Sequence, residues 1–222
     1  MFKLTIRILP VLVVLLLANA KFANAQGVSA YFGVGSAFDS APKDTTGNCT
    51  SGQVFDVFTS GCDPAPTMGG AFGVFGADFM IKPHFGVNAE YMFRFAQDNY
   101  LSGAQLNVRP AFYDFNAVYQ PTSGNARVVP VLEAGLGGAR LSFYESQTGC
   151  ITVGTCTTQS QEILSSNHFQ FHAGAGVKLY VKSDIFIKPQ FDFHWVHNLT
   201  DQYGRTTVPA FTISIGYTFG RT

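Results

Sequence analysis

The chain has 222 residues, 46% of them hydrophobic and only 13% charged, with a formal net charge of zero. That length suits one domain or at most two, and the balanced charge leaves no basic footprint for nucleic acid. Soluble domains carry about a quarter of their residues as charged, so 22 Phe and 23 Gly in so uncharged a chain point away from an ordinary soluble surface.

The N-terminus reads as an export signal. Lys3 and Arg7 make a positive start, "ILPVLVVLLLA" is an apolar run too short to span a bilayer, and the small-x-small pattern "ANA" ends at Ala20 and again at Ala25. Of the two, cleavage after Ala25 is favoured, because Lys21 and Phe22 sit poorly just after a cut. Residues 1–25 are then a cleaved signal peptide and 26–222 the mature, slightly acidic domain.

Beyond the leader the dominant signal is period two, the mark of strands. Residues 28–37 set Val28, Ala30, Phe32 and Val34 against Ser29, Tyr31, Gly33 and Gly35. Residues 70–80 form a second strand. Residues 85–95 set Val87, Ala89, Tyr91, Phe93 and Phe95 against Asn88, Glu90, Met92 and Arg94. Residues 104–119 and 128–144 alternate with a slip of phase, near Pro110 in one and near Gly137 and Gly138 in the other, for which a bulge is the expected cause. Residues 168–181 alternate Phe169, Phe171, Ala173 and Ala175 with Gln170, His172, Gly174 and Gly176. In "IFIKPQFDFHW", residues 185–195, one face is Ile185, Ile187, Pro189, Phe191, Phe193 and Trp195; the other carries Lys188, Gln190, Asp192 and His194. Residues 208–219 close the series, with no polar exception among Pro209, Phe211, Ile213, Ile215, Tyr217 and Phe219. Pro189 and Pro209 each remove a ladder donor, so bulges or strand ends are expected there.

Eight strands result. Long connections at about 38–69 and 145–167 fall on one side; short ones such as "IKPH" and "KSD" fall on the other. Bacterial membrane barrels have short periplasmic turns and longer outer loops. Export implies a disulfide-permissive compartment. Four cysteines allow three connectivities, and the local pairs Cys49–Cys62 and Cys150–Cys156 are preferred because each lies in one irregular stretch. "CITVGTC" brings no other zinc ligands with it.

A soluble lipocalin-like barrel would also alternate, with its apolar face inward around a greasy ligand. Three features favour the opposite sense. The polar face is poor in charge and rich in Gly, as a cramped lumen requires. The apolar face is dense in aromatics near the strand ends, as in interfacial girdles. The strands run on the order of ten residues, enough for a tilted strand to cross hydrocarbon.

"GAGVKLYVKSDIFIKPQFDFHW" (174–195) resembles the penultimate hairpin of small outer-membrane barrels, and "PAFTISIGYTFG" resembles their C-terminal strand. The chain is similar, over nearly all its mature length, to the OmpA/OmpX-like outer-membrane beta-barrel family. The resemblance implies an eight-stranded antiparallel up-and-down transmembrane barrel in the bacterial outer membrane, and a monomer is expected. The chain departs from the OmpA pattern in showing no peptidoglycan-binding domain after the barrel, so a cell-wall tether of that type is not expected. The resemblance also implies contact with outer-membrane lipid and lipopolysaccharide, and insertion by the barrel-assembly machinery.

The ionisable residues on the inward face are read as a polar network of Asp78, Glu90, Arg94, Arg109, Asp114, Glu133, Lys178, Lys188 and Asp192, which must pair because an uncompensated buried charge is costly. A three-residue turn at Lys182–Asp184 pairs Val181 with Ile185 and so sets His172 opposite His194. Two imidazoles at that distance are a possible metal site. No cofactor and no enzymatic activity are expected. Ser214 faces inward, and Ser165 and Ser166 beside His168 are neighbours in sequence rather than a triad. The expected function is a structural or surface-interaction role through the outer loops, with an extracellular ligand there. A narrow porin-like channel is the alternative, and a lipid-modifying rim enzyme the next.

Overall fold

A computed structural model describes residues 27–38, 49–50, 53–56, 60–64, 67–101, 106–122, 126–152, 155–199 and 206–220. The expected leader and its cleavage site lie outside the described residues. Eleven strands are present among them: β1 (Val28–Ala37), β2 (Gln53–Asp56), β3 (Gly61–Pro64), β4 (Gly70–Met80), β5 (Phe85–Arg94), β6 (Asp98–Leu101), β7 (Leu106–Tyr119), β8 (Val128–Thr152), β9 (Thr155–Tyr180), β10 (Ile185–Val196) and β11 (Thr207–Phe219).

Eight of them form a closed antiparallel barrel in the order β5-β4-β1-β11-β10-β9-β8-β7, and pairing of β5 with β7 completes the ring. β1 lies between β4 and β11, so the first and last strands are neighbours. Closure leaves no wall strand with an open edge, which is the condition for strands in hydrocarbon. The prolines respect this ladder. Pro209 is one residue beyond the last β1–β11 pair, Ala37↔Ala210, and Pro110 one beyond the last β5–β7 pair, Phe93↔Ala111. At Pro189 the β9–β10 pairing lapses between Ile187↔Leu179 and Gln190↔Gly176 and resumes in the same register, so no bulge is needed.

The barrel is amphipathic in the sense expected of a membrane wall. Outward residues are large, apolar and open: Phe32 is 65% exposed and Phe115 68%. Aromatics on the outer face pack against one another. Phe75, Tyr91, Phe93 and Phe95 are in ring contact on one side, as are Phe171 and Trp195; Phe85 meets Tyr119 near the short turns. Inward residues are buried and mostly polar at mid-height.

The lumen is not polar throughout. Its loop end is filled by Phe72, Val74, Met92, Val108, Phe112, Leu141 and Phe143, with Met68 and Leu199 folded in from the connections. A smaller apolar layer of Met80, Val118 and Val131 stands towards the turn end. This corrects the expected bulges near Pro110 and Gly137. The β7–β8 register runs unbroken from Leu106↔Glu145 to Tyr119↔Leu132. The inward face simply turns apolar towards the loop end, and that change of character mimics a change of phase.

The connection expected over 145–167 is also corrected. β8 and β9 continue as an antiparallel ladder up to Thr152↔Thr155, with one irregularity at Phe143/Tyr144 and another at Cys150/Thr152. Residues 145–162 are mostly polar and do not alternate, so the sequence carries no amphipathic signal even though the backbone pairs as a ribbon. The 38–69 connection contains the small β2–β3 hairpin, and Cys49 is bonded to Cys62 there. Cys150 and Cys156 are backbone partners in the ribbon; their side chains lie outside the described ones.

The wall orientation is open to a direct test. Phe115→Arg should lower unfolding free energy in lipid vesicles by about 2–4 kcal/mol, as for a cation at mid-membrane. On a water-facing surface the same change would be nearly neutral, so urea titration in vesicles distinguishes the two.

Candidate functional site

The lumen holds a hydrogen-bonded network drawn from all eight wall strands. Near the turn end Lys178 pairs with Asp78 at 2.7 Å and donates to Ser29 Oγ at 3.1 Å. Ser29 meets Thr218 at 3.0 Å, and Thr218 meets Tyr180 Oη at 2.9 Å. Asn88 Nδ2 donates to Asp78 Oδ1 and to Tyr31 Oη, both at 2.7 Å, and Tyr31 donates to Glu90 Oε2 at 2.6 Å. Lys188 pairs with Glu133 at 2.8 Å and lies 4.2 Å from the centre of the Tyr31 ring. Gln190 Nε2 bridges Glu133 and Asp192, at 3.5 and 2.6 Å.

Above this level stand the histidines. The β9–β10 register places His172 opposite His194, with ring centres 4.9 Å apart. The two nitrogens of His172 face Asn116 Oδ1 at 2.9 Å and Asp192 Oδ1 at 3.1 Å. Gln170 Nε2 donates to Asp114 Oδ1 at 2.7 Å and stands 3.3 Å from His194 Nδ1. Phe112 stacks on His194 at 4.6 Å and marks the floor of the apolar plug.

Glycines set who can touch whom. Asn116, Gly135, His172 and His194 form one row across β7, β8, β9 and β10; Asp114, Gly137 and Gln170 form the next. Strands two apart are separated by roughly 9.5 Å. Side chains reach over that distance only because the residue between them has none. A Cβ on Gly135 would fall 2.5 Å from Asn116 Oδ1, and one on Gly137 2.5 Å from Asp114 Oδ1. The strand that looks weakest by propensity is therefore what joins the network across the lumen.

The residues expected in the lumen divide into three groups. Asp78, Glu90, Asp114, Glu133, Lys178, Lys188 and Asp192 are buried together with His172 and His194. Arg94 shares their face but stands at the mouth, paired with Asp98 at 2.9 Å. Arg109 is a correction. With no bulge at Pro110 it keeps the outward parity of β7 and lines a groove on the wall with Tyr91, Phe93, Arg140, Tyr144 and Glu162; Arg140 pairs there with Glu162 at 3.1 Å. The uncharged members Tyr31, Asn88, Asn116, Gln170 and Gln190 carry no charge to single them out in the sequence, although each keeps the same parity as its charged neighbours.

His168 Nε2 lies 3.1 Å from Ser166 Oγ, within reach for a nucleophile and its base. The pair sits opposite Leu141 and Ala139, both buried inward residues. It therefore has mouth-facing rather than lipid-facing parity. No acid partner to His168 is recorded among the described residues.

No family model and no curated protein matches the chain. Among solved structures it is similar to Neisserial surface protein A, NspA, at 12% identity over 87% of this chain and 97% of that one, with a TM-score of 0.51. It is also similar to the outer membrane protein OprG from Pseudomonas aeruginosa, at 11% identity over 88% of this chain and 96% of that one, with a TM-score of 0.50. What is shared is the fold of small outer-membrane barrels.

Two outcomes follow from the network. Lys188→Met strands the Glu133 carboxylate and should destabilise the barrel by about 3–5 kcal/mol, whereas Lys188→Met with Glu133→Gln should recover most of that loss in urea titrations. Gly137→Ala brings a methyl group onto the Tyr113 carbonyl and Asp114. It should cost about 1–3 kcal/mol, seen as a smaller fraction of fast-migrating, unheated protein on a gel.

Proposed function

We propose that the chain is a monomeric bacterial outer-membrane barrel whose wall is a scaffold and whose function is exercised at its surface, through the loop end. The observation that carries this reading is the filled lumen. Phe72, Phe112 and Leu141 are each 0% exposed above the network, and Lys178 and Lys188 within it are each 1% exposed. A solute path needs continuous polar space, and an eight-stranded interior is just wide enough for side chains to fill.

Several features support contact at the loop end. The β8–β9 ribbon extends past its last barrel pairings: β7 accompanies β8 only to Glu145, and β10 accompanies β9 only to Gln170. Ile163 and Leu164 are 54% and 63% exposed along it. The Cys49–Cys62 bond restrains the neighbouring connection, and such preorganisation lowers the ordering cost of binding a partner. On the wall below, the groove with Arg109 and Arg140 suits a phosphate-bearing outer-leaflet lipid such as lipopolysaccharide. β11, with its unbroken apolar face, is the strand offered to the barrel-assembly machinery. The reading assigns no catalysis to the chain.

Planar-bilayer recordings of the detergent-folded protein should give no discrete conductance steps. Steps whose ion selectivity changes in Lys188 or Arg94 variants would replace this reading with the narrow channel. On intact cells, external protease should cut within residues 146–160 and spare the turns at 81–84 and 181–184. The opposite pattern would reverse the assigned orientation.

A further inference from the structure

Five carboxylates are buried in the barrel, Asp78, Glu90, Asp114, Glu133 and Asp192, against two ammonium groups, Lys178 and Lys188. Asp78 and Glu133 take the two lysines. Three carboxylates remain, two of them in contact with the buried histidines. Even with both imidazoles protonated, acids outnumber cations. An uncompensated charge away from water is strongly unfavourable; the excess is relieved either by protons held on carboxyl groups or by a bound cation.

The side chains also converge there. Asp114 from β7, His172 from β9 and His194 from β10 each offer a ligand atom within 4.8 Å of the other two. Asp114 Oδ2 is 3.6 Å from His194 Nδ1. One atom of the cluster has no hydrogen-bond partner, His194 Nε2, in a residue 1% exposed; beside the cluster, Asp192 Oδ2, in a residue 0% exposed, and Gln170 Oε1 have none either. Buried polar atoms are nearly always satisfied, so these atoms point to a ligand. The flanking groups are of the kind that orient metal ligands: Asn116 Oδ1 faces His172 Nδ1, and Gln170 donates to Asp114 Oδ1.

We infer that Asp114, His172 and His194 bind a divalent transition-metal ion inside the barrel. Two imidazole nitrogens and a carboxylate oxygen suit zinc, cobalt or nickel; calcium and magnesium take shells of oxygen. Two positive charges offset the excess of carboxylate. Ligand atoms around one such ion stand about 3.4 Å apart, given bonds of roughly 2.1 Å, so the three side chains draw together on binding. Asp192, whose Oδ1 is 3.1 Å from His172 Nε2 and whose Oδ2 has no partner, is a further donor. Phe112 and the apolar plug lie above the site, so the ion enters as the barrel forms and leaves when it opens. Bound there, it ties β7 to β9 and β10 across the lumen.

The test is to refold the full chain in detergent with Co2+, pass it over a chelating resin and measure metal content and visible absorption. The folded protein should keep one Co2+ per chain, with the intense bands of four-coordinate cobalt, and EDTA should remove it no faster than the barrel unfolds. His84, His168 and His197 are the other histidines. A variant with all three changed to Ala should keep the ion, and His172→Ala with His194→Ala should lose it. Unheated gel migration reports whether that variant folds. If it does not, Asp114→Asn and His194→Gln serve in its place, each expected to weaken retention at least tenfold. The inference is overturned if folded wild-type protein keeps no ion, if bound cobalt shows the pale spectrum of six-coordinate aquo ion, or if a folded variant lacking both lumenal histidines retains it equally.

Discussion

A peptide group in hydrocarbon has no partner except another peptide group. The rest of this structure follows from that constraint. Eight strands satisfy it only by closing, and the closure places β1 against β11 and β5 against β7. Once the ring is closed, each side chain has two destinations, lipid or lumen, and the pleat alternates between them. The prolines obey the same rule: each sits where a ladder has ended or lapses, so no donor is removed from a position that needs one.

Closure creates a second constraint inside. An eight-stranded interior is narrow, and polar groups placed in it lose water. They must therefore find one another. In this barrel they do so largely across strands that are not neighbours, over glycines in β8 and β9, so that the lysines meet Asp78 and Glu133, the Gln170 amide joins Asp114 to His194, and the Gln190 amide joins Glu133 to Asp192. Apolar layers above and below isolate the network from both ends. Such isolation makes each charge pair matter more, because water cannot screen a partner that is lost. It also explains why an excess of carboxylate at mid-height is informative about what else the site holds.

The strand set and the direction of the amphipathicity were legible along the chain, because period two with bulky apolar residues on one face survives any tertiary arrangement. So was the His172–His194 pairing, which needs only the three-residue turn at Lys182–Asp184 and a straight register. The apolar plug was not legible. Val108, Phe112 and Leu141 look like lipid-facing residues out of phase, and only an unbroken β7–β8 register shows them to be lumenal. Arg109 was misplaced for the same reason: assuming a bulge at Pro110 flipped it inward, whereas the continuous strand leaves it on the wall. The β8–β9 ribbon was hidden because its residues are mostly polar and do not alternate, although the backbone pairs.

The sequence by itself determined that this chain forms strands, that eight of them alternate, and which face of each is oily, because those properties reside in neighbours one and two residues apart. Only the tertiary structure decided which polar residues meet, which end of the lumen is sealed, and that Asp114 joins the two histidines. Those facts depend on the relative shift of strands around a closed ring. That shift is set by the sum of all the turns and ladders, so no single stretch of sequence contains it.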